Sequence, residues 1–323
     1  MSRFSILATA RAVPKKIVTN DDLAKIMDTS DAWISRRTGI HARHVATTET
    51  TTSLATRVAK QLIDRAHVDA DQLDYVIVAT MSPDYQMPST AAEVQGLVHA
   101  HHAAAFDISA ACSGFAYGVK ILNSLLATKP GACGILIGSE TMTKYVNWAD
   151  RSTAVLFGDG AGGILAVNRG PGRVIASNLS TYGQLSSKLT AGHFGYHDDR
   201  YHAPEVSDPF CHQDGRAVYG FAIRKVPKSI RQTLKQANLN SQQIKWFVLH
   251  QANARIVKSV AKHLKISFDK FPISINRYGN TVAASEPMLL SRLVDGGKIK
   301  RGDRIDLTGF GGGLTVGTVI LKF

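Results

Sequence analysis

The chain has 323 residues, more than one domain usually holds, so two domains or one large duplicated unit are expected. Its hydrophobic fraction of 44%, with 27 glycines and 10 prolines, is typical of an α/β enzyme and excludes a disordered or fibrous protein. The formal charge of +13 favours anionic partners, but we expect no nucleic acid among them, because zinc-finger spacing, RNP-type aromatic strands and a basic amphipathic tail are all missing.

Strands and helices alternate through the predicted elements of the first half. The N-terminal stretch MSRFSILATARAVP is expected to be the first strand, because its apolar run is too short and interrupted for a signal peptide or membrane span. This alternation indicates strand–helix–strand units around a largely parallel sheet. Further strands are predicted at 74–80, 104–109, 133–139 and 153–157, and helices at 53–66 and 113–127.

A similar order recurs in the second half. The segments 157–167 and 310–321 also end alike, since each joins a phenylalanine and a glycine-rich turn to an apolar strand. We therefore predict an α/β fold of two duplicated halves, residues 1–170 and 171–323. The predicted elements of the second half are a strand at 245–250 that leads into a helix, a helix at 281–297, and strands at 304–309 and 315–323.

Cys112 occupies a position suited to a nucleophile. The stretch 107-DISAACSGF-115 places it between a predicted strand and a predicted helix, where free backbone N–H groups and the helix dipole favour a thiolate. A buried cysteine is otherwise only a small apolar residue. With Cys133 and Cys211 it makes an odd number of cysteines without zinc-cluster spacing, so we expect free thiols in a reducing compartment, the cytoplasm.

Three distant segments contain further candidate site residues. His250 in 250-HQANARI-256 ends a predicted strand, and Asn280 in 278-YGNTVAAS-285 precedes a predicted helix. The consecutive glycines of 309-GFGGG-313 are able to expose a backbone N–H to an oxyanion. Taken singly, a histidine such as His250 is more often a structural core or strand-end residue, and an asparagine such as Asn280 is more often a turn or cap residue.

Taken together and in this order, the segments DISAACSGF, VLFGDGAGG, LHQANARI, RYGNTVAAS and GFGGG resemble the β-ketoacyl-acyl-carrier-protein synthase III family of bacterial fatty-acid initiation. The resemblance runs essentially end to end. It implies a thiolase-like fold, in which two duplicated α/β halves form α-β-α-β-α layers. It also implies a condensing enzyme that takes an acyl group from acetyl-coenzyme A or another short acyl-coenzyme A and condenses it with malonyl carrier protein, releasing carbon dioxide.

By this resemblance, Cys112 is the acyl-carrying nucleophile, and His250 and Asn280 stabilise the enolate formed by decarboxylation. The backbone N–H groups of Cys112 and Gly312 would form the oxyanion hole. Asparagine at position 280, where elongating condensing enzymes have a second histidine, indicates the branch that uses coenzyme A primers. Thiolases fit less well, because no second cysteine lies in the late glycine-rich segment.

The resemblance also implies binding sites for coenzyme A and for acyl carrier protein. Trp33 would stack on adenine, and the guanidinium groups would meet the base and the phosphates. The helix after His250 carries Arg255, Lys258, Lys262 and Lys265 on one face, which is either a docking face for the acidic carrier or an ordinary solvated face. The implied coenzyme A residues are Trp33, Arg37, Arg151 and Asn253, and the implied carrier-binding residues are Gln251, Ala252, Asn253, Ala254 and Arg255.

Several positions depart from the family pattern and concern the acyl pocket. Gln213, Ala217 and Gly220 replace the residues that the family usually shows around 213–220. Met87 stands where family members often present phenylalanine to the pocket of the partner subunit in a homodimer, and methionine is a more adaptable wall. The starter is therefore expected to be longer or looser than acetyl.

The segment 192–215 is rich in aromatic residues and histidine. A metal site formed by His193, His197, His202 and Cys211 is conceivable, since imidazole and thiolate suit zinc. Their loose spacing and the chemistry of the family favour a lid-like loop near the acyl tunnel instead. We expect no metal and no cofactor apart from the substrates.

Two alternative functions stay open from the sequence. One is an acyltransferase or condensing enzyme of specialised metabolism with another starter or acceptor, which the altered 213–220 region permits. The other is a catalytically silent basic protein that only binds carrier protein or nucleic acid, in which Cys112 would be an inert buried thiol.

Overall fold

The computed structural model describes residues 3–193, 195 and 208–323. It contains two large β-sheets, one from each half of the chain. The strands are β1 (Ser5–Ala12), β2 (Ile17–Thr19), β3 (Ala42–His44), β4 (Tyr75–Ala79), β5 (Ala104–Ile108), β6 (Cys133–Glu140), β7 (Gly160–Val167), β8 (Arg173–Thr181), β9 (Leu189–Thr190), β10 (His212–Gln213), β11 (Trp246–Leu249), β12 (Arg304–Gly311) and β13 (Thr315–Lys322). The α-helices are α1 (Asn20–Ala24), α2 (Asp31–Thr38), α3 (Thr51–Ala66), α4 (Thr90–Leu97), α5 (Gly114–Leu126), α6 (Arg151–Ala154), α7 (Gly215–Ala237), α8 (Ala254–Leu264), α9 (Ile275–Tyr278) and α10 (Ser285–Asp295).

The two sheets share one strand arrangement. The first has the order β1-β7-β6-β4-β5, with β6 parallel to β4 and β7 antiparallel to both of its neighbours. The second has the order β8-β13-β12-β11, with β12 parallel to β11 and β13 antiparallel to both of its neighbours. The second sheet therefore repeats four strands of the first. The division of the chain near residue 170 stays a prediction, and it falls between β7 and β8.

Helices pack on both sides of each sheet. Helices α3 and α4 cover the outer face of the first sheet, and α7 and α8 cover the outer face of the second. Between the sheets, apolar side chains of α5 and α10 form a shared central core, to which Phe115 and Leu290 belong. This is the expected α-β-α-β-α layering. Within the described ranges, no helix is long and apolar enough to cross a membrane.

Most of the predicted elements are confirmed, but the strand predicted at 153–157 is wrong. A single helical turn, α6, lies there instead, and Asp150 caps it by accepting a hydrogen bond from the Ser152 N–H at 2.9 Å. The segment is apolar because its side chains are buried in two clusters with side chains such as Ile34 of α2 and Ile275 of α9, and not because it belongs to a sheet. Local composition does not distinguish these two reasons for burial.

Candidate active site

Cys112 lies where β5 gives way to α5, the strand-to-helix junction expected from the sequence. A short 3₁₀ turn, Ala111–Ser113, connects the two elements, and Ala111 adopts a left-handed φ of 45° that a non-glycine residue rarely takes. The thiol is 6% exposed and lines a cavity of about 440 Å³. The strained turn thus presents Cys112 to this cavity.

The surroundings of the thiol favour its protonated form. Burial raises the pKa of Cys112 well above its usual value, and the buried carboxyl groups of Glu140 and Glu286 act in the same direction. A hydrogen bond with the Gly312 backbone opposes them. The expected stabilisation of a thiolate by the helix N-terminus is therefore outweighed by burial, and the proton has to be removed for the thiol to react.

His250 follows the end of β11, and its ring faces the same cavity. Its backbone N–H donates to the Thr308 carbonyl at 2.8 Å, and the edge of its ring packs on Phe310 at 5.3 Å between centroids. Burial lowers the pKa of His250 to about 3, so the imidazole is neutral at all working pH values. A neutral imidazole keeps one N–H donor and one acceptor.

Asn280 is held on three sides by the backbone. Its N–H donates to the Leu156 carbonyl at 2.8 Å, and its carbonyl accepts from the Gly158 N–H at 3.1 Å. Its side-chain Oδ1 accepts from the Val282 N–H at 2.9 Å, which leaves the Nδ2 group as the donor of this cavity-lining amide. The side chain is only 7% exposed. Asn280 is thus a fixed, neutral hydrogen-bond donor.

The structure brings together the residues that the sequence placed far apart. Cys112, His250, Asn280 and Gly312 all line the one cavity. A thiol, two neutral hydrogen-bond donors and a glycine-rich backbone edge are the groups that acyl transfer through a covalent thioester needs.

The mouth of the cavity carries an aromatic ring with two guanidinium groups close to it. The Cζ atom of Arg37 lies 4.6 Å from the centroid of the Trp33 ring, and that of Arg151 lies 5.1 Å from it. All three residues line the cavity, as does Asn253, whose Nδ2 donates to the Arg37 carbonyl at 3.0 Å. Such an arrangement suits a ligand with a flat base and phosphate groups.

The five residues of the implied carrier-binding segment occupy different environments. Gln251 is 1% exposed, and its Oε1 accepts backbone N–H groups of Ser274 and Ile275, so it supports the fold and does not reach the surface. Ala252, Asn253 and Ala254 are partly exposed. Arg255 is exposed at the cavity rim, and Lys258 and Lys262 of α8 are exposed as well. Lys265 is also exposed, but it lies just beyond α8, as the residue that caps its C-terminus.

Met87 does not line the cavity of its own chain. Its side chain is 87% exposed, and Tyr85 beside it is 60% exposed. The wall around Cys112 consists of apolar side chains that sequence reasoning missed, since apolar residues in short, separate segments carry no local signal of their role. They are Met142, Phe157, Leu189, Cys211 and Val282.

In the part of the chain that is described, nothing supports a metal site in the histidine-rich segment 192–215. There, no group of three or more His, Cys, Asp or Glu side chains is arranged to hold a metal ion. Cys211 is a free thiol in the cavity wall, and the backbone of His193 forms an isolated antiparallel β-bridge with that of Asp208. His197 and His202 lie outside the described residues, as does most of the lid-like loop.

Comparisons with known proteins point to one family. The family model of 3-oxoacyl-[acyl-carrier-protein] synthase III matches residues 106–183, and the model of its C-terminal part matches residues 234–323. The chain is 53% identical to the β-ketoacyl-[acyl-carrier-protein] synthase III of Lactobacillus helveticus over 322 residues, 99% of this chain and 98% of that one. A relative of the same name from Levilactobacillus brevis is 49% identical over 322 residues, with the same coverage of both chains. The crystal structure of 3-oxoacyl-[acyl-carrier-protein] synthase III from Aquifex aeolicus superimposes with a TM-score of 0.92 at 38% identity and covers 100% of both chains.

Proposed function

Since the chain belongs to the 3-oxoacyl-[acyl-carrier-protein] synthase III family, the condensing acyltransferases that initiate fatty-acid synthesis, we propose that it performs this reaction on Cys112 with His250 and Asn280. Acyl-coenzyme A and malonyl carrier protein are its substrates. The observation that carries the assignment is the meeting of Cys112, His250, Asn280 and Gly312 in one cavity.

In the first half-reaction, the sulfur of Cys112 attacks the thioester carbonyl of acyl-coenzyme A. The carbonyl oxygen becomes an oxyanion, which the N–H groups of Cys112 and Gly312 stabilise. The carbon–sulfur bond to coenzyme A then breaks, and coenzyme A leaves as the thiol with the proton that Cys112 lost. Because burial raises the pKa of Cys112, the thiol has to be deprotonated for this attack.

In the second half-reaction, malonyl carrier protein loses carbon dioxide. The electron pair of the broken carbon–carbon bond forms an enolate, whose oxygen accepts hydrogen bonds from His250 Nε2 and Asn280 Nδ2. The enolate carbon attacks the acyl carbonyl on Cys112, and the cysteine leaves to give 3-ketoacyl carrier protein. Two neutral donors suit this step, since burial holds the pKa of His250 at about 3. The reaction needs no cofactor apart from its substrates.

Coenzyme A and the acyl carrier protein bind to different parts of the surface. Trp33, Arg37, Arg151 and Asn253 at the mouth bind the nucleotide end of coenzyme A. Arg255, at the start of α8 and at the cavity rim, begins a stripe of exposed cations that fits an acidic carrier protein. A basic surface beside the opening also concentrates the carrier where its acyl arm must enter.

We further propose a homodimer in the cytoplasm. Strand β5 is an edge strand whose backbone and side chains are only partly buried, and such an edge invites pairing with a second copy. The exposed Met87 would reach the acyl pocket of the other subunit across this interface. Three free cysteines favour a reducing compartment.

Intact-protein mass spectrometry tests the proposal and identifies the primer. The protein is incubated with acyl-coenzyme A substrates from acetyl to octanoyl, in parallel with Cys112→Ser, and is then mixed with malonyl carrier protein. One acyl mass should appear on the parent protein alone and should disappear on the chase as a 3-ketoacyl product. Absence of acylation would overturn the assignment of Cys112, and acylation without discharge would overturn the condensing step.

A further inference from the structure

Arg43 is a buried cation. It lies in β3, its side chain is 0% exposed, and it is the largest of the fully buried side chains. Among the described residues, no Asp or Glu oxygen lies within 4.0 Å of its nitrogens. Arginine is rarely buried in this way, because removing the charge from water is costly unless specific contacts compensate.

Neutral oxygens surround the guanidinium group. Its Nη1 donates to Asn20 Oδ1 at 2.9 Å and to the Val18 carbonyl at 3.3 Å, and its Nη2 donates to the Val155 carbonyl at 2.9 Å. Burial lowers the pKa of Arg43 to about 10, so the group stays charged at neutral pH. Charged donors make strong and directional hydrogen bonds, which fix the backbone that accepts them.

The segment held by Arg43 is the one that clamps Asn280. Val155 precedes Leu156, whose carbonyl accepts the Asn280 N–H, and Gly158 donates its N–H to the Asn280 carbonyl. The stem of Arg43 also packs against both sides of this clamp. A β-carbon on Gly158 would lie 2.9 Å from Arg43 Cβ, and one on Gly279 would lie 3.3 Å from it.

The same guanidinium is connected to the coenzyme A mouth. Asn20, which accepts from Arg43, donates its Nδ2 to Asp31 Oδ1 at 2.7 Å and to the Ile40 carbonyl at 2.7 Å. Asp31 is the first residue of α2, the helix that carries Trp33 and Arg37. Arg43 thus bonds to Asn20, which holds α2 at the mouth, and to Val155, which belongs to the segment that holds Asn280.

We propose that Arg43 is a positioning residue for the condensation step, because it holds residues 155–158 in the conformation that aims the Asn280 amide at the enolate oxygen. The inference rests on the proposed function and deepens it. Arg43 touches neither substrate. It bonds directly to the backbone that holds Asn280, and it reaches α2 only indirectly, through Asn20. Its loss should therefore affect the half-reaction that uses Asn280 and leave acylation of Cys112 largely intact.

Arg43→Lys and Arg43→Met test the proposal with the two half-reactions timed separately by quenched mass spectrometry. Acylation by acyl-coenzyme A should stay within about twofold of the parent rate, while discharge by malonyl carrier protein should fall about 100-fold, the typical effect of a small misplacement of a reacting group. In an Asn280→Ala background, Arg43→Lys should change the discharge rate by less than about twofold, because the group that it positions is already gone.

Arg301→Lys is the matched control. The Arg301 guanidinium also donates to backbone carbonyls, those of Ile6 and Leu7, but the residue does not line the cavity. Both rates should be unchanged in this variant. If the Arg43 variants do not fold, Asn20→Ala removes one acceptor of Arg43 and should reproduce the loss of discharge in a smaller degree. Because Asn20 also supports α2, the acylation rate of this variant is compared with that of the parent at saturating acyl-coenzyme A.

The outcomes separate the two proposals. If the parent protein is neither acylated nor discharged, the proposed function fails. If the parent does both and the Arg43 and Asn20 variants lose both rates equally, or if the Arg43 loss is the same with and without Asn280, then only the positioning role is overturned.

Discussion

Gly311 approaches Cys112 so closely that a β-carbon on Gly311 would lie 2.8 Å from the cysteine Sγ and 2.7 Å from its Cβ. The backbone of Gly311 is extended, with a φ of 162°, so the contact and not the backbone conformation requires glycine. We expect Gly311→Ala to displace the thiol and to slow acylation of Cys112 about 100-fold. The rate of acyl transfer from acyl-coenzyme A, followed by mass spectrometry, measures this effect.

Gly96→Ala is the control for this substitution. A β-carbon there would meet no heavy atom within 4 Å, and the residue lies inside α4, where alanine is favoured over glycine. Acylation should be unchanged in this variant. Normal acylation of Gly311→Ala would show that the thiol has more room than the structure gives it.

Asn280→Asp should separate the two half-reactions. The Asn280 Oδ1 already accepts the Val282 N–H, so aspartate keeps this contact and replaces the Nδ2 donor by a carboxylate oxygen. That oxygen repels the enolate, and we expect discharge by malonyl carrier protein to fall about 100-fold or more. Acylation of Cys112 should remain within severalfold of the parent rate. Equal losses in both half-reactions would contradict a role confined to decarboxylation.

Trp33→Ala should weaken the binding of coenzyme A and leave the chemistry intact. The ring lies against the guanidinium groups of Arg37 and Arg151, and removal of this stack should raise KM for acyl-coenzyme A about tenfold at unchanged kcat. An acyl-pantetheine substrate, which lacks adenine and the phosphates, supplies the control. Its turnover should be the same in parent and variant, and an equal loss with both substrates would contradict a nucleotide site.

The candidate site was predictable from the sequence because each of its members lies in a short motif. Cys112 and Asn280 each stand at a junction that leads into a helix, and Gly312 belongs to a glycine run, so local pattern and chemistry coincide. The alternation of buried strands and amphipathic helices likewise indicates the layered fold. Such features depend on neighbours in sequence.

Features that depend on neighbours in space were not predictable. Met142 and Cys211 are far apart in the chain, and only folding makes them one wall. Gln251 stands next to His250 in the implied carrier-binding segment, yet its side chain is turned inward, where its Oε1 accepts the backbone N–H of Ser274. The helix dipole at Cys112 favours a thiolate by local reasoning, but burial beside Glu140 and Glu286 outweighs it.

Met87→Glu should dissociate the proposed homodimer. The side chain is 87% exposed in the single chain, and a glutamate there would have to be buried without a partner at an apolar interface. We expect the mass measured by light scattering after size exclusion to change from two chains to one. Phe268→Glu, at a 39% exposed aromatic residue in the other half, should leave that mass unchanged. A monomeric parent protein would contradict the proposal.

Asp306 should make the stability of the protein depend on pH. Its carboxyl group is fully buried under α7; Oδ1 accepts from Thr308 Oγ1 at 2.6 Å, and Oδ2 has no partner in the described part of the chain. Burial raises the pKa of Asp306 from 3.8 to about 7. The folded state therefore keeps a proton that the unfolded state releases, and this contribution to stability is lost as pH rises from about 4 to about 7.

Asp306→Asn removes that titration and leaves all others in place. As pH rises from 4 to 7, the free energy of unfolding of the variant should increase relative to that of the parent by up to about 1.4 kcal/mol for each pH unit. Above pH 7 the difference should be constant. Urea unfolding at pH 5, 6, 7 and 8 measures it, and because Glu140 and Glu286 titrate in both proteins, their contributions cancel. A difference that is the same at all four pH values would mean that Asp306 is already ionised in the folded state at pH 5.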